Sequence, residues 1–163
     1  MFSRSVVAAF VAAPFLATAF AASCTRTYTV KEGDWCDTIS AANNVSTYQL
    51  AAVNTAIDNL CDNLEVGQNL CLGTQGEDCS NTHVVEANDS CDLLYNTYNI
   101  NSTVLYHNNP QLNPACDNLY VGEVMCVADV ALAPAPPSGL SIPTTSSQAP
   151  ATTETELPWC DEL

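Results

Sequence analysis

Apolar and polar positions between Cys24 and Ala128 follow one order twice. Thr27-Tyr28-Thr29-Val30-Lys31 alternates and is rich in β-prone residues, which predicts a strand. Gly33-Asp34 breaks it. A short helix over 35–42 follows, with Ile39 and Ala42 on its inner face, Asp34 placed as N-cap and Asp37 in the first turn. Asn43-Asn44 turn the chain. Ser46-Thr47-Tyr48-Gln49 reads as a capping box that opens a second helix to about Val53, with Leu50 and Val53 inward. A loop over 54–63 leads through Leu64-Glu65-Val66-Gly67 to a strand over 68–72. The second pass predicts a strand at 82–86, helices at 90–97 and 102–108, and a strand at 123–127.

The two passes are copies. Cys24, Cys36, Cys61 and Cys71 recur 55 residues later as Cys79, Cys91, Cys116 and Cys126. Residues 24–73 laid over 79–128 without a gap match at 16 of 50 positions, including Asp34/Asp89, Asn54/Asn109 and the run Cys-Asp-Asn-Leu at 61–64 and 116–119. The chain therefore holds two modules of one β-α-α-β pattern, at 24–73 and 79–128, joined by 73–78. The fold class is α+β: strands from opposite ends of a module pair antiparallel and the helices pack on one face.

The ends of the chain read differently. Met1 to Ala22 carries Arg4 and then an apolar run from Val6 to Phe20, with small residues at Ala19 and Ala21. This is the pattern of a secretory signal peptide over 1–21, and its apolar run of about 15 residues is shorter than the roughly 20 that span a bilayer. Residues 129–163 form a tail. From Ala131 onward Pro, Ser, Thr and Ala dominate without a period, which predicts disorder and suits O-glycosylation. The final Asp161-Glu162-Leu163 resembles an endoplasmic-reticulum retention signal, but Cys160 stands where that signal has Lys or His.

Composition narrows the chemistry. Eighteen acidic residues face three Lys plus Arg, a net charge of −15. Such a chain is repelled by phosphate backbones and by anionic membranes, so neither is an expected partner. Nine cysteines in 163 residues point to a secreted, disulfide-stapled protein. Gaps of 11, 24 and 9 residues lack the close cysteine pairs of zinc sites, and His83 and His107 complete no ligand set, so neither metal nor cofactor is expected. Each module allows three disulfide connectivities. An antiparallel strand pair favours Cys24 with Cys71 and Cys36 with Cys61, and likewise Cys79 with Cys126 and Cys91 with Cys116. Cys160 is left without a mate in either module and is a candidate for a link to another chain.

Tyr28-Thr29-Val30-Lys31-Glu32-Gly33-Asp34, the Asn54 loop and Leu64-Glu65-Val66-Gly67-Gln68-Asn69-Leu70 together resemble the LysM signature. The second copy departs from it at Asn88-Asp89 but keeps Asn109-Pro110 and Leu119-Tyr120-Val121-Gly122-Glu123. With four cysteines per module, a signal peptide and a Thr/Pro-rich tail, residues 24–128 look like the secreted fungal LysM proteins, LysM effectors among them. The resemblance implies a non-catalytic protein that binds chitin or N-acetylglucosamine oligomers, sequestering fragments or shielding hyphal walls. Alternatives are a structural wall-associated role and peptidoglycan binding.

The resemblance also implies where the sugar lies. In the first module Gly33, Asp34, Trp35 and Thr38 would face Asn54, Thr55, Ala56, Ile57 and Asp58 across a shallow groove. In the second, Asn88, Asp89, Ser90 and Leu93 would face Asn109, Pro110, Gln111, Leu112 and Asn113. The chemistry suits these residues. Loop amides near helix starts pair with acetamides, Ala56 and Ile57 offer an apolar patch, and Trp35 is either a stacking platform or a core residue. Asp34 and Asp89 fit helix caps better than sugar ligands, and Asn54 and Asn109 fit helix stops as well as contacts. Sequons at Asn44, Asn88 and Asn101 mark candidate glycans. A glycan on Asn88 would sit in the second groove, which makes the first copy the expected stronger binder. The nearest carboxylate pairs, Asp34 with Asp37 and Asp89 with Asp92, lie at helix starts, and modules this small offer no deep cleft for a glycosidase pair.

Overall fold

The computed structural model describes residues 23–58 and 61–136. The expected signal peptide, Cys160 and the tail from 137 onward lie outside the described residues. Each module is β-α-α-β. The first runs β1 (Cys24–Thr29), α1 (Cys36–Asn43), α2 (Thr47–Val53) and β2 (Asn69–Thr74). The second runs β3 (Thr82–Val84), α3 (Cys91–Tyr98), α4 (Ser102–Asn108) and β4 (Val124–Cys126). β1 pairs antiparallel with β2, and β3 with β4, giving two separate two-stranded sheets. The fold is the mixed α+β arrangement that the pattern predicts.

Sheets this small need another source of stability. Two disulfides per module supply it: Cys24–Cys71 and Cys36–Cys61, then Cys79–Cys126 and Cys91–Cys116. Cys24–Cys71 staples β1 to β2, Cys79–Cys126 ties the segment before β3 to β4, and the second bond of each pair ties a helix start to the loop after the second helix. The core of module one is Val30, Ile39, Val45, Leu50, Ile57, Leu70 and Leu72. That of module two is Val85, Leu94, Ile100, Leu105, Leu112, Met125 and Val127. Every member of one set stands 55 residues from its counterpart, so the repeat keeps burial even where it changes the residue.

Local signals explain the boundaries. Asn44 and Asn99 end their helices in the left-handed region, at φ 49° and 51°, a conformation that asparagine tolerates. Ser46 and Asn101 accept the Gln49 and Val104 amides as N-caps. Several expectations change. Asp34 and Asp89 cap no helix: Trp35 stands at the N-cap position of α1 without a side-chain cap bond, and Ser90 caps α3. Ala42 is exposed and Val53 only half-buried, whereas Ala52 is buried. Gln49 completes no capping box. Its side chain instead donates to the Leu72 carbonyl and to Asp78, and accepts the Cys79 amide. It holds the connecting segment against β2.

The modules dock on one another. Thr47 accepts the Val124 amide at 3.0 Å and donates to Asp37 at 2.7 Å, while the Tyr120 hydroxyl lies 3.3 Å from both Asp37 oxygens. Burial raises the Asp37 pKa against these stabilising bonds. Residues 129–136, read from sequence as the start of the tail, pack as a strap across both modules. Asn108 of α4 donates to the Val130 carbonyl and accepts the Leu132 and Ala133 amides, and Tyr48 of α2 donates to the Pro134 carbonyl. Ala133 packs on Tyr48 and Ala52.

Candidate functional site

In each module the strand-to-helix turn and the loop after the second helix are built by the same devices. The turn at 31–34 closes on the Asp34 carboxylate, which accepts the Lys31 amide at 2.7 Å and the Tyr28 hydroxyl at 2.8 Å. That bond to a carboxylate raises the Tyr28 pKa. In module two Asp89 accepts the Glu86 amide at 2.7 Å, and His83 stands in the place of Tyr28, with Nε2 2.6 Å from Asp89. The Glu86 amide first, and His83 second, hold the Asp89 pKa below the usual carboxylate range. The other ring nitrogen of His83 meets the Tyr98 hydroxyl at 2.9 Å. Gly33 at φ 83° and Asn88 at φ 74° occupy the left-handed corner of these turns.

The opposite loop hangs on asparagines. Asn54 donates to the Leu50 and Cys71 carbonyls and accepts the Cys71 amide at 2.8 Å. Asn109 does the same with Leu105 and Cys126. Both therefore tie the end of the second helix to the last strand, and Asn109 is fully buried. A second asparagine pins the loop tip. Asn63 bridges the Ala56 carbonyl and the Asp58 amide, and Asn118 bridges the Gln111 carbonyl and the Asn113 amide. Sequence reasoning missed these two, although the repeated Cys-Asp-Asn-Leu run carried the signal. The Cys36–Cys61 and Cys91–Cys116 bonds then join loop to turn, at Cα separations of 6.0 Å and 6.2 Å.

The expected contact residues divide by burial. Gly33, Thr38, Thr55, Ala56 and Asp58 are exposed in module one, as are Asn88, Ser90 and Leu93 in module two. Pro110 and Asn113 are half-buried. Ile57 and Leu112 are core residues, and Gln111 is buried against Glu123. An Ile57→Arg or Leu112→Arg change therefore tests the core before it tests a groove. Trp35 packs on the module-one core with its indole N–H buried and unpartnered, so it is a core residue on one edge. Thr38 both accepts the Trp35 amide and donates to the Trp35 carbonyl.

Module two adds a feature absent from the expected set. An open pocket of about 320 Å³ is lined by Ser90, Asp92, Tyr95, Tyr106, Pro114 and Ala115 around the Cys91–Cys116 bond. Tyr106 donates to the Pro114 carbonyl at 3.3 Å. Burial, then the Tyr106 hydroxyl, raise the Tyr95 pKa. The corresponding positions of module one are Ser40 and Ala51, so the aromatic pair is particular to the second copy. No cluster of candidate metal ligands occurs among the described residues.

The LysM domain family model matches residues 28–73 and 83–128. The chain belongs to the LysM family. The matched spans fall on the two β-α-α-β modules, each closed by its turn and loop. Among curated proteins the chain is 30% identical over 113 residues to the secreted LysM effector LysM2 of Penicillium expansum, covering 64% of this chain and 33% of that one. It is 34% identical over 107 residues to a secreted LysM effector of Pochonia chlamydosporia, covering 64% and 15%. It is 30% identical over 109 residues to the non-secreted LysM effector LCP1 of Gibberella moniliformis, covering 66% and 14%. The chain thus spans a third or less of the length of these relatives.

Proposed function

We propose that this LysM protein is a secreted, non-catalytic binder of N-acetylglucosamine polymers, chitin foremost, which sequesters chitin fragments or shields wall chitin. The observation that carries the reading is the repeated turn-and-loop pair, held by one disulfide and two asparagines in each module. Such a pair meets a ligand pre-ordered, so little conformational entropy is lost on binding. A neutral sugar carries no charge for the −15 chain to repel.

The second module is the stronger candidate site. Its tyrosine pair gives flat apolar faces with polar rims, the chemistry that suits a pyranose ring and its hydroxyls. Trp35, the aromatic candidate of the first module, has its N–H turned into the protein. This reverses the preference drawn from the Asn88 sequon. In the first module the contacts fall to Gly33, Thr55, Ala56 and Asp58.

The test is retention of the full chain on chitin, cellulose, chitosan and peptidoglycan, with Tyr106→Ala and Ala56→Arg compared. Retention on chitin that Tyr106→Ala weakens more than Ala56→Arg supports the assignment. No retention on chitin by the wild type ends it.

A further inference from the structure

Glu123 immediately precedes β4, beside the junction between the modules, and is 3% exposed. Its Oε1 accepts the Gln111 Nε2–H at 2.8 Å. Its Oε2 is buried without a partner, and so is the Oε1 of the same Gln111. A carboxylate offers acceptors only, so the ionised form leaves two buried oxygens, one on each side chain, with no donor between them.

A carboxylic acid removes that deficit. An acid and a primary amide each present one donor and one acceptor in a plane, and together they close a ring of two hydrogen bonds. One bond of that ring, amide N–H to Oε1, is already in place. A proton on Glu123 Oε2, donated to Gln111 Oε1, would satisfy both orphans at once.

The surroundings act in the same direction. Across the junction α1 presents Asp37, a charge of the same sign, and α2 presents the uncharged Thr47. Tyr120, in the turn before β4, has its hydroxyl on Asp37, and its backbone acts the other way, favouring the Glu123 carboxylate. On the β3 side the Val85 amide is bonded to the Glu123 carbonyl. Met125 offers a thioether to Gln111. Burial first, and then Asp37, push the Glu123 pKa up to about 7, against the hydrogen bonds that lower it.

We propose that Glu123 is a neutral carboxylic acid paired with Gln111 in the docked protein, and that losing its proton loosens the docking of the two modules. When the Oε2–H bond breaks and its proton passes to solvent, the junction holds a second buried negative charge near Asp37. Water admitted by opening the junction relieves it, because each module keeps its own core and disulfides. The relative placement of the two sugar-facing loops is then fixed in acid and freer at mildly alkaline pH.

The Val124 amide reads the junction directly, because its hydrogen bond to Thr47 crosses it. The Leu50 amide, bonded to Ser46 within module one, is the internal control. Hydrogen exchange on the full chain, corrected for intrinsic rates, is followed from about pH 5 to about pH 8. Val124 protection should fall about tenfold or more in the wild type while Leu50 holds. In Glu123→Gln, where two amides close the same ring without a titrating proton, Val124 should stay protected. Constant Val124 protection in the wild type, an equal fall at Leu50, or the same fall in Glu123→Gln overturns the proposal. Carbon-13 titration of the wild-type Glu123 carboxyl needs no variant: a midpoint near neutrality supports it, and an ordinary carboxylate midpoint overturns it.

Discussion

Thr47 and Val124, from different modules, share a hydrogen bond of 3.0 Å in which the Thr47 hydroxyl accepts and simultaneously holds Asp37. One side chain therefore satisfies a strand amide of module two and a half-buried carboxylate of module one. Thr47→Val keeps the shape and removes both bonds. It should lower stability by about 1–3 kcal/mol, since a buried amide and a carboxylate each lose a partner. Urea unfolding of wild type and variant checks it.

Gly73 is fixed by the side chain of Asp78. A Cβ at residue 73 would lie 2.2 Å from the Asp78 carboxyl carbon, a group that also pairs with Arg26 at 2.5 Å. Arg26 in turn donates to the Asn43 and Asn44 carbonyls at the end of α1. Gly73→Ala should displace Asp78 and loosen this network, at a cost of about 1–3 kcal/mol. A fall in melting temperature that an Asp78→Ala background, which removes the clashing atoms, largely abolishes would show that the two act together.

The same Asp78 contributes to the acid limb of stability. Arg26 holds its pKa below the usual carboxylate range, so its contribution is present above the unfolded-state value and is lost as pH falls through the folded one. Glu123 has the opposite sign. Its pKa is raised, so its contribution is complete below the ordinary glutamate value and is lost as pH rises to about 7. Melting temperature against pH should therefore show a maximum in mild acid. Asp78→Asn should flatten the acid side alone, and Glu123→Gln the neutral side alone.

Asn109 separates structural from sugar-binding roles. It is fully buried, with three hydrogen bonds to the backbone. Asn109→Ala should cost about 2–4 kcal/mol in urea unfolding, because it leaves the buried Cys126 amide and carbonyl without the partner they have, while the Leu105 carbonyl keeps the backbone amide of residue 109. Affinity per folded molecule should change far less than with Tyr106→Ala.

Much of this was legible in the sequence because the repeat tests itself. A core position such as Ile39 or Leu50 is confirmed by its partner, Leu94 or Leu105. The α4 bounds and the strand pairing followed from local pattern. Roles decided by distant partners were hidden. Gln49 has a good capping residue's spacing, but the connecting segment takes its amide. Asp34 stands where an N-cap belongs, yet the turn it closes lies before it. Ile57 looked like a loop contact because nothing local says that a loop dips into the core. The tyrosine pocket escaped notice because module one, used as the template, has Ser40 and Ala51 there. The strap was hidden by its Pro/Ala-rich composition, yet Asn108 and Tyr48 hold it by its backbone groups, with Ala133 packed on Tyr48 and Ala52.

Calorimetry of the full chain with N-acetylglucosamine oligomers, at low and high salt, tests the central claim most directly. The account predicts saturable heat that changes little with salt and shrinks in Tyr106→Ala. Cationic chitosan oligomers should bind, if at all, only through charge and lose that binding in high salt. No heat with acetylated oligomers, or binding to them that salt abolishes as it does for chitosan, would contradict it.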